Sequence, residues 1–215
     1  MFYNGNIVNY KMPHEAMVDF LEYLCSQNIK PILIGHIIKR YDCHVLYNVL
    51  KQCNMWNEFC KNIVGFLDTL DLFKKVVPGL TCYKQSFLVE QLPGDFYECH
   101  NAIDDTKALY KLVCTKGDIL NYIHILLFSP SYPHDYQLQL SNLKTFSNAI
   151  KAKAISKTIA LKAARSNLRI CHCSLAVKRN GFDGLYAMLS EKTSAGKERV
   201  TSNKRVIQKI FDFVK

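Results

Sequence analysis

The chain reads as an α/β layered unit followed by an all-helical basic unit, and three observations carry that reading. Short, uninterrupted apolar runs alternate with stretches of helical periodicity through residues 1–128, the rhythm of strand–helix–strand units. Prolines, serines and an aspartate in "FSPSYPHDY" then mark a linker near residues 129–136. Beyond it only helical periodicity remains, and the charge balance changes. Met1–Asp135 holds 12 Lys+Arg against 14 Asp+Glu, a balance of −2, whereas Tyr136–Lys215 holds 16 against 4, a balance of +12. The predicted domains are 1–128 and 137–215.

The elements follow in order. "MPHEAMVDFLEYLCSQN" has Pro13 at a helix start and Ala16, Met17, Phe20, Leu21 and Leu24 on one face, so a helix is expected over residues 13–27. "KPILIGHII" is continuously apolar, as in a strand covered on both faces. Helical spacing resumes in "DCHVLYNVLKQC" through Val45, Leu46, Val49 and Leu50, and "NIVGFLDTL" is strand-like again. Further helices are expected near 69–77, 83–92 and 101–114. After the linker come "SNAIKAKAISKTIALKAARSN", "LRICHCSLAVKRN", "DGLYAMLSEK" and "NKRVIQKIFDFV", all helical, with the gap "TSAGKERVTS" before the last.

Composition narrows the function classes. With 49% apolar and 21% charged residues, the chain can bury a globular core. It has no run of about 18 uncharged apolar residues and no secretory leader pattern, so no membrane partner is expected. The nine cysteines include no Cys-x-x-Cys pair, which suits a reducing, intracellular compartment. The basic C-terminal segment favours a polyanionic partner, nucleic acid before an acidic membrane surface.

One carboxylate stands out. In a helix, Ala102, Asp105, Leu109 and Leu112 share a face, which sets an ionised group in an apolar stripe, where an unpaired charge costs several kcal/mol. Its neighbour Asp104 falls on the opposite side with Lys107 and Lys111 and has a solvated explanation. Asp42 lies just past the end of the first apolar strand, where open α/β sheets gather ligands; N-capping a helix would explain it equally well. Two converging carboxylates are best stabilised by divalent cations. His100, five residues before Asp105, would point about 140° away in a continuous helix, so it is placed in the loop or first turn.

These residues resemble a known family. His100-Asn101-Ala102-Ile103-Asp104-Asp105 is similar to the His-x4-Asp motif of the DnaQ-like, DEDDh-type 3′-5′ exonucleases, which have the ribonuclease-H-like fold. "LIGHIIKRYD", from Leu33 to Asp42, resembles their second motif, and "FLDTLDLFKK" with "YKQSFLVEQL" the strand and helices between. The resemblance spans roughly residues 1–115. It implies two magnesium or manganese ions held by four acidic side chains, with Asp42 and Asp105 among the metal ligands and His100 as the catalytic general base.

Two departures qualify that expectation. Ile37 follows His36 where the family has asparagine. None of the 11 aspartates is followed two residues later by glutamate, so the family's Asp-x-Glu pair is not in this sequence. By the resemblance, the ribonuclease-H-like fold is N-terminally incomplete here, its first strands missing, and two ligands of four hold magnesium weakly or not at all. The whole chain is also similar to the C-terminal region of promyelocytic leukaemia (PML) nuclear-body proteins, which implies a nuclear location and attachment to a scaffold.

Sequence therefore predicts an exonuclease-like pseudoenzyme that binds DNA or RNA or serves a nuclear-body scaffold. The alternative is an active metal-dependent 3′-5′ exonuclease whose Asp-x-Glu strand lies outside this sequence. In the basic segment, Lys157, Lys162, Arg165, Arg169, Lys178 and Arg179 are the candidates to line a phosphate backbone. Cys171 and Cys173 of "CHC" are read as packing residues, and the 12 Tyr and 12 Phe as mostly core, with no stacking platform expected.

Overall fold

In the computed structural model the chain forms two compact units, 1–133 and 134–215. The structure describes residues 2–3, 6–7, 10–92, 101–115 and 120–215. The first unit opens with an antiparallel pair, β1 (Phe2–Tyr3) and β2 (Asn6–Ile7). Next comes α1 (Pro13–Cys25), with Pro13 in its first turn and the Glu15 carboxylate accepting from the Met12 N–H at 3.2 Å.

β3 (Ile32–Gly35), α2 (Asp42–Gln52), α3 (Trp56–Asn62) and β4 (Gly65–Asp68) make a strand–helix–strand crossover. β3 and β4 pair in parallel, with Ile34 opposite Leu67 and Gly35 opposite Asp68. All four β4 residues are buried. Alternation sends Phe66 into a cluster with Leu24, Leu50 and Phe59, and Leu67 into another with Leu72, Phe73, Leu88 and Leu112. Each such side chain contributes about 2 kcal/mol by leaving water. Phe66 also exchanges two 3.0 Å backbone hydrogen bonds with Phe128. β3 was expected to be covered on both faces, but Ile34 is 40% exposed. Among the described residues β3 pairs only with β4.

α4 (Thr69–Val76), α5 (Gln85–Gln91), α6 (Ala102–Cys114) and α7 (Leu120–Leu126) complete this unit's helices. The unit is thus mostly helical around a short parallel pair, an α/β arrangement that reproduces only part of the layered sheet expected. The predicted linker at 129–136 is largely helix, because α8 (Tyr132–Thr145) starts inside it. Pro133 falls in the first turn, where its missing N–H forfeits no helical bond.

The second unit is helical. α9 (Ser147–Lys151) and α10 (Lys157–Arg165) divide what the sequence pattern suggested was one helix. Lys153 takes a left-handed φ of 55°, and the Ser156 hydroxyl caps α10 by accepting the Ile159 N–H at 3.2 Å. α11 (Ile170–Ser190) instead joins two predicted helices across a kink at Asn180 and Gly181, the latter at φ 58°, ψ −144°, a region open essentially to glycine alone. The two legs close tightly: a Cβ on Gly184 would lie 2.7 Å from the Ala176 carbonyl oxygen. α12 (Lys204–Val214) inserts Ile207 and Ile210 beside Phe146, Ala160, Leu185 and Leu189.

Candidate nucleic-acid and metal sites

The C-terminal ends of the parallel strands are organised by a carboxylate that the sequence motifs did not single out. Asp68 ends β4, is 3% exposed, and accepts three backbone hydrogen bonds. Its Oδ1 receives the N–H of Ile37 (3.0 Å) and of Leu70 (2.9 Å), and its Oδ2 that of Lys39 (3.1 Å). One side chain thus caps α4 and pins the 36–41 loop, which leads to Asp42. A charged acceptor makes each such bond worth about 1.5–3 kcal/mol. The signal was an aspartate closing an apolar strand just before a helix, "GFLDTL", a pattern that also fits an N-cap.

The same loop contains a strained residue. Ile37 sits at φ 65°, a left-handed conformation that β-branched side chains rarely adopt and that asparagine tolerates. The departure noted at this position therefore has a backbone meaning besides a lost polar group. Beside it, His36 Nδ1 is hydrogen-bonded to Thr69 Oγ1 at 2.9 Å, while its buried Nε2 makes no hydrogen bond of good geometry among the described residues. Burial pushes the His36 pKa down from its ordinary value; the Asp68 carboxylate and the Tyr83 backbone pull it up more weakly. The Lys39 ammonium lies over the rings of Phe128 and Tyr132, at 5.3 and 5.6 Å from their centroids.

The predicted metal ligands are placed differently from one another. Asp42 is the first residue of α2, with Tyr41 at the cap position, and its side chain is exposed. There its charge favours the helix N-terminus. Cys43, next to it, is a buried thiol pushed up to about 11, by desolvation first and then by Asp42 and Asp68. Asp105 is half-buried in the first turn of α6, with Asn101 capping the helix through the Ile103 N–H at 3.0 Å. Its backbone carbonyl accepts from Gln85 Nε2 at 2.7 Å. The apolar stripe is narrower than expected, because Ala102 is exposed and only Ala108 and Leu112 are fully buried. Asp104, read as solvated, is as enclosed as Asp105. His100 lies outside the described residues.

Among the described residues no three His, Cys, Asp or Glu side chains gather as a metal-holding group. Asp68, the most enclosed carboxylate among them, spends both oxygens on backbone N–H groups. Asp42 and Asp105 by themselves would leave most of the near-octahedral oxygen shell that magnesium demands to water, so the described residues do not supply a fitting donor set.

In the second unit Lys157, Lys162 and Arg165 are exposed on α10, Arg169 is exposed at the cap of α11, and Lys178 and Arg179 are exposed before its kink. Lys162 and Arg165 share a helical side, while Lys157 lies about 140° from Lys162. The Arg169 N–H is accepted by His172 Nδ1 at 3.1 Å, so the histidine of "CHC" serves a helix start. Cys173 is buried, its pKa pushed up to about 12 by desolvation and secondarily by Cys171, which is exposed.

Residues 9–113 match the family model described as "Exonuclease". The first unit thus carries an exonuclease-like domain segment, and members of that family typically use divalent metals. Residues 142–215, within the basic helical unit, match the family model described as "PML, C-terminal domain". The resemblances drawn from the motifs therefore hold for both parts of the chain. No match was found among curated proteins or among solved structures.

Proposed function

We propose that this chain is an exonuclease-derived module without a working metal centre, serving nucleic-acid binding and nuclear-body association. The observation that carries this reading is the shortage of acidic ligands, and Asp68 does not relieve it. That carboxylate holds the strand-end loop as a structural cap and is not one of the expected ligands, so what argues against a metal centre is the ligand count: the sequence holds no Asp-x-Glu pair and no three metal-binding side chains gather among the described residues. Asp42 and Asp105 remain the candidate metal ligands, and His100 the candidate base, but the described residues supply no third ligand. The PML C-terminal match supports a nuclear setting, and no helix among the described residues is long and apolar enough to cross a membrane. The six exposed cations from Lys157 to Arg179 would bind phosphates without reading bases.

The test is incubation of the chain with a 3′-labelled oligonucleotide in magnesium or manganese, with Asp105→Asn as control. No trimming, with binding that weakens steeply as salt rises, is the expected result. Metal-dependent trimming that disappears in Asp105→Asn would establish an active exonuclease instead. Binding without salt dependence would remove the phosphate-backbone role.

A further inference from the structure

We propose that the α11–α12 face carrying Phe182, Tyr186 and Phe211 is a stacking platform for a single-stranded nucleic acid; this deepens the nucleic-acid reading above and rests on it. The three rings form a continuous row. Phe182 stacks on Tyr186 with centroids 6.3 Å apart and planes 26° apart, and meets Phe211 edge-on at 6.0 Å and 69°. Each is half-buried and packs against the core around Leu185 and Ile207. An exposed cation sits at each end: Lys204 Nζ is 5.8 Å from the Tyr186 centroid and Lys215 Nζ 6.0 Å from that of Phe211.

Both end rings are partly exposed and each is covered by the ammonium of an exposed lysine, so a base settling on either ring would displace that ammonium towards the strand's phosphates. Burial holds the rings in place, which lowers the ordering cost of a base settling on them. The row then combines two features of single-strand sites, π-faces for bases and flanking cations for the backbone. Asp183 and Asp212 each follow a ring by one residue, about 100° around the helix and so off the ring face; the Asp212 carboxylate also accepts from Gln208 Nε2 at 2.8 Å. A duplex would not use the row, because its base faces are already stacked. The balance of +12 over Tyr136–Lys215 supplies the matching charge for a polyanion.

Fluorescence anisotropy with the full chain tests this, using a labelled oligo-dT strand and a labelled duplex of equal length over a salt series. The variants are Phe182→Leu with Tyr186→Leu, which keeps apolar bulk but removes the π-faces, and Lys204→Gln, which is exposed and leaves the core untouched. The leucine pair is expected to weaken strand binding about 10- to 100-fold at an unchanged salt slope, with duplex binding unaltered. Lys204→Gln is expected to lower the strand's salt slope by about 0.7. Equal losses for strand and duplex, or full strand affinity in both variants, would overturn the platform while leaving general nucleic-acid binding intact. A wild-type chain that binds neither form would overturn that broader reading as well. Displacement of the strand by a polyglutamate peptide of higher affinity would reassign the face to an acidic protein partner.

Discussion

Replacing Ile37 with asparagine should stabilise the first unit, although it removes an apolar side chain. Ile37 holds φ at 65°, and a left-handed conformation costs an L-residue about 1–2 kcal/mol, most for β-branched side chains. Asparagine pays little of that, since its short polar side chain bonds locally there. Little packing is lost, because Ile37 is 37% exposed and belongs to neither apolar cluster of the unit. The N–H that donates to Asp68 at 3.0 Å is retained. The net gain should be about 1 kcal/mol, or some 3–5 °C in the melting of a unit this size. The chain's single tryptophan, Trp56, stacks on Phe59 at 5.4 Å in α3, so its fluorescence reports this unit alone during urea unfolding. Ile37→Val keeps the β-branch and should show no gain. An unchanged or lower midpoint for Ile37→Asn, or an equal rise for Ile37→Val, would refute the strain argument.

Other substitutions probe the same framework. Asp68→Asn should cost about 3 kcal/mol, because a carboxamide cannot accept all three N–H groups as a carboxylate does; Trp56-monitored urea unfolding measures it. His36 gives the first unit a pH dependence. Its folded pKa lies below the ordinary 6.5 because burial disfavours the imidazolium, so the unfolded chain binds the proton more readily. Stability is therefore full above pH 6.5 and is lost as pH falls through the lowered folded value, a slope that His36→Asn should flatten in midpoints taken from pH 7.5 to 5. In the second unit, Gly184→Ala drives a Cβ to within 2.7 Å of the Ala176 carbonyl oxygen and should cost about 2 kcal/mol or more. Gly181→Ala meets no atom within 4 Å and should cost about 1–3 kcal/mol from backbone strain alone, both read from thermal melts by circular dichroism.

Much of the helical framework was legible because periodicity and caps agreed. The 13–27 helix ends at Cys25, the 69–77 helix is α4 at Thr69–Val76, and the 101–114 helix is α6 at Ala102–Cys114. What escaped was decided by tertiary contacts or by backbone conformation. α3, seven residues long, is too short to show a period and is held by Phe59 in the core. The split between α9 and α10 depends on a left-handed lysine, Lys153, for which the sequence gives no sign. Asp68 was hidden because its partners, Ile37 and Lys39, are about thirty residues away and are backbone groups, which any residue supplies equally. The core reading of the aromatics agrees with the packing of Phe182, Tyr186 and Phe211 against the second unit's core, while the pairing of Phe182 with Phe211 depends on the meeting of α11 with α12, which spacing along one helix does not show.

These features also explain how the strand-end loop is held. In a metal enzyme the carboxylates at the strand ends repel one another until a cation joins them, so the empty site is under electrostatic stress. In this chain the loop between β3 and α2 is held through Asp68 by peptide N–H donors, whose partial positive charges stabilise the buried carboxylate. Asp42, at the end of that loop, is exposed in the first turn of α2. The loop is thus fixed by contacts that the chain itself supplies. The strain at Ile37 fits the same logic. A loop fixed by three hydrogen bonds to a buried carboxylate can carry a left-handed isoleucine, since releasing about 1–2 kcal/mol of strain would mean giving up bonds together worth more.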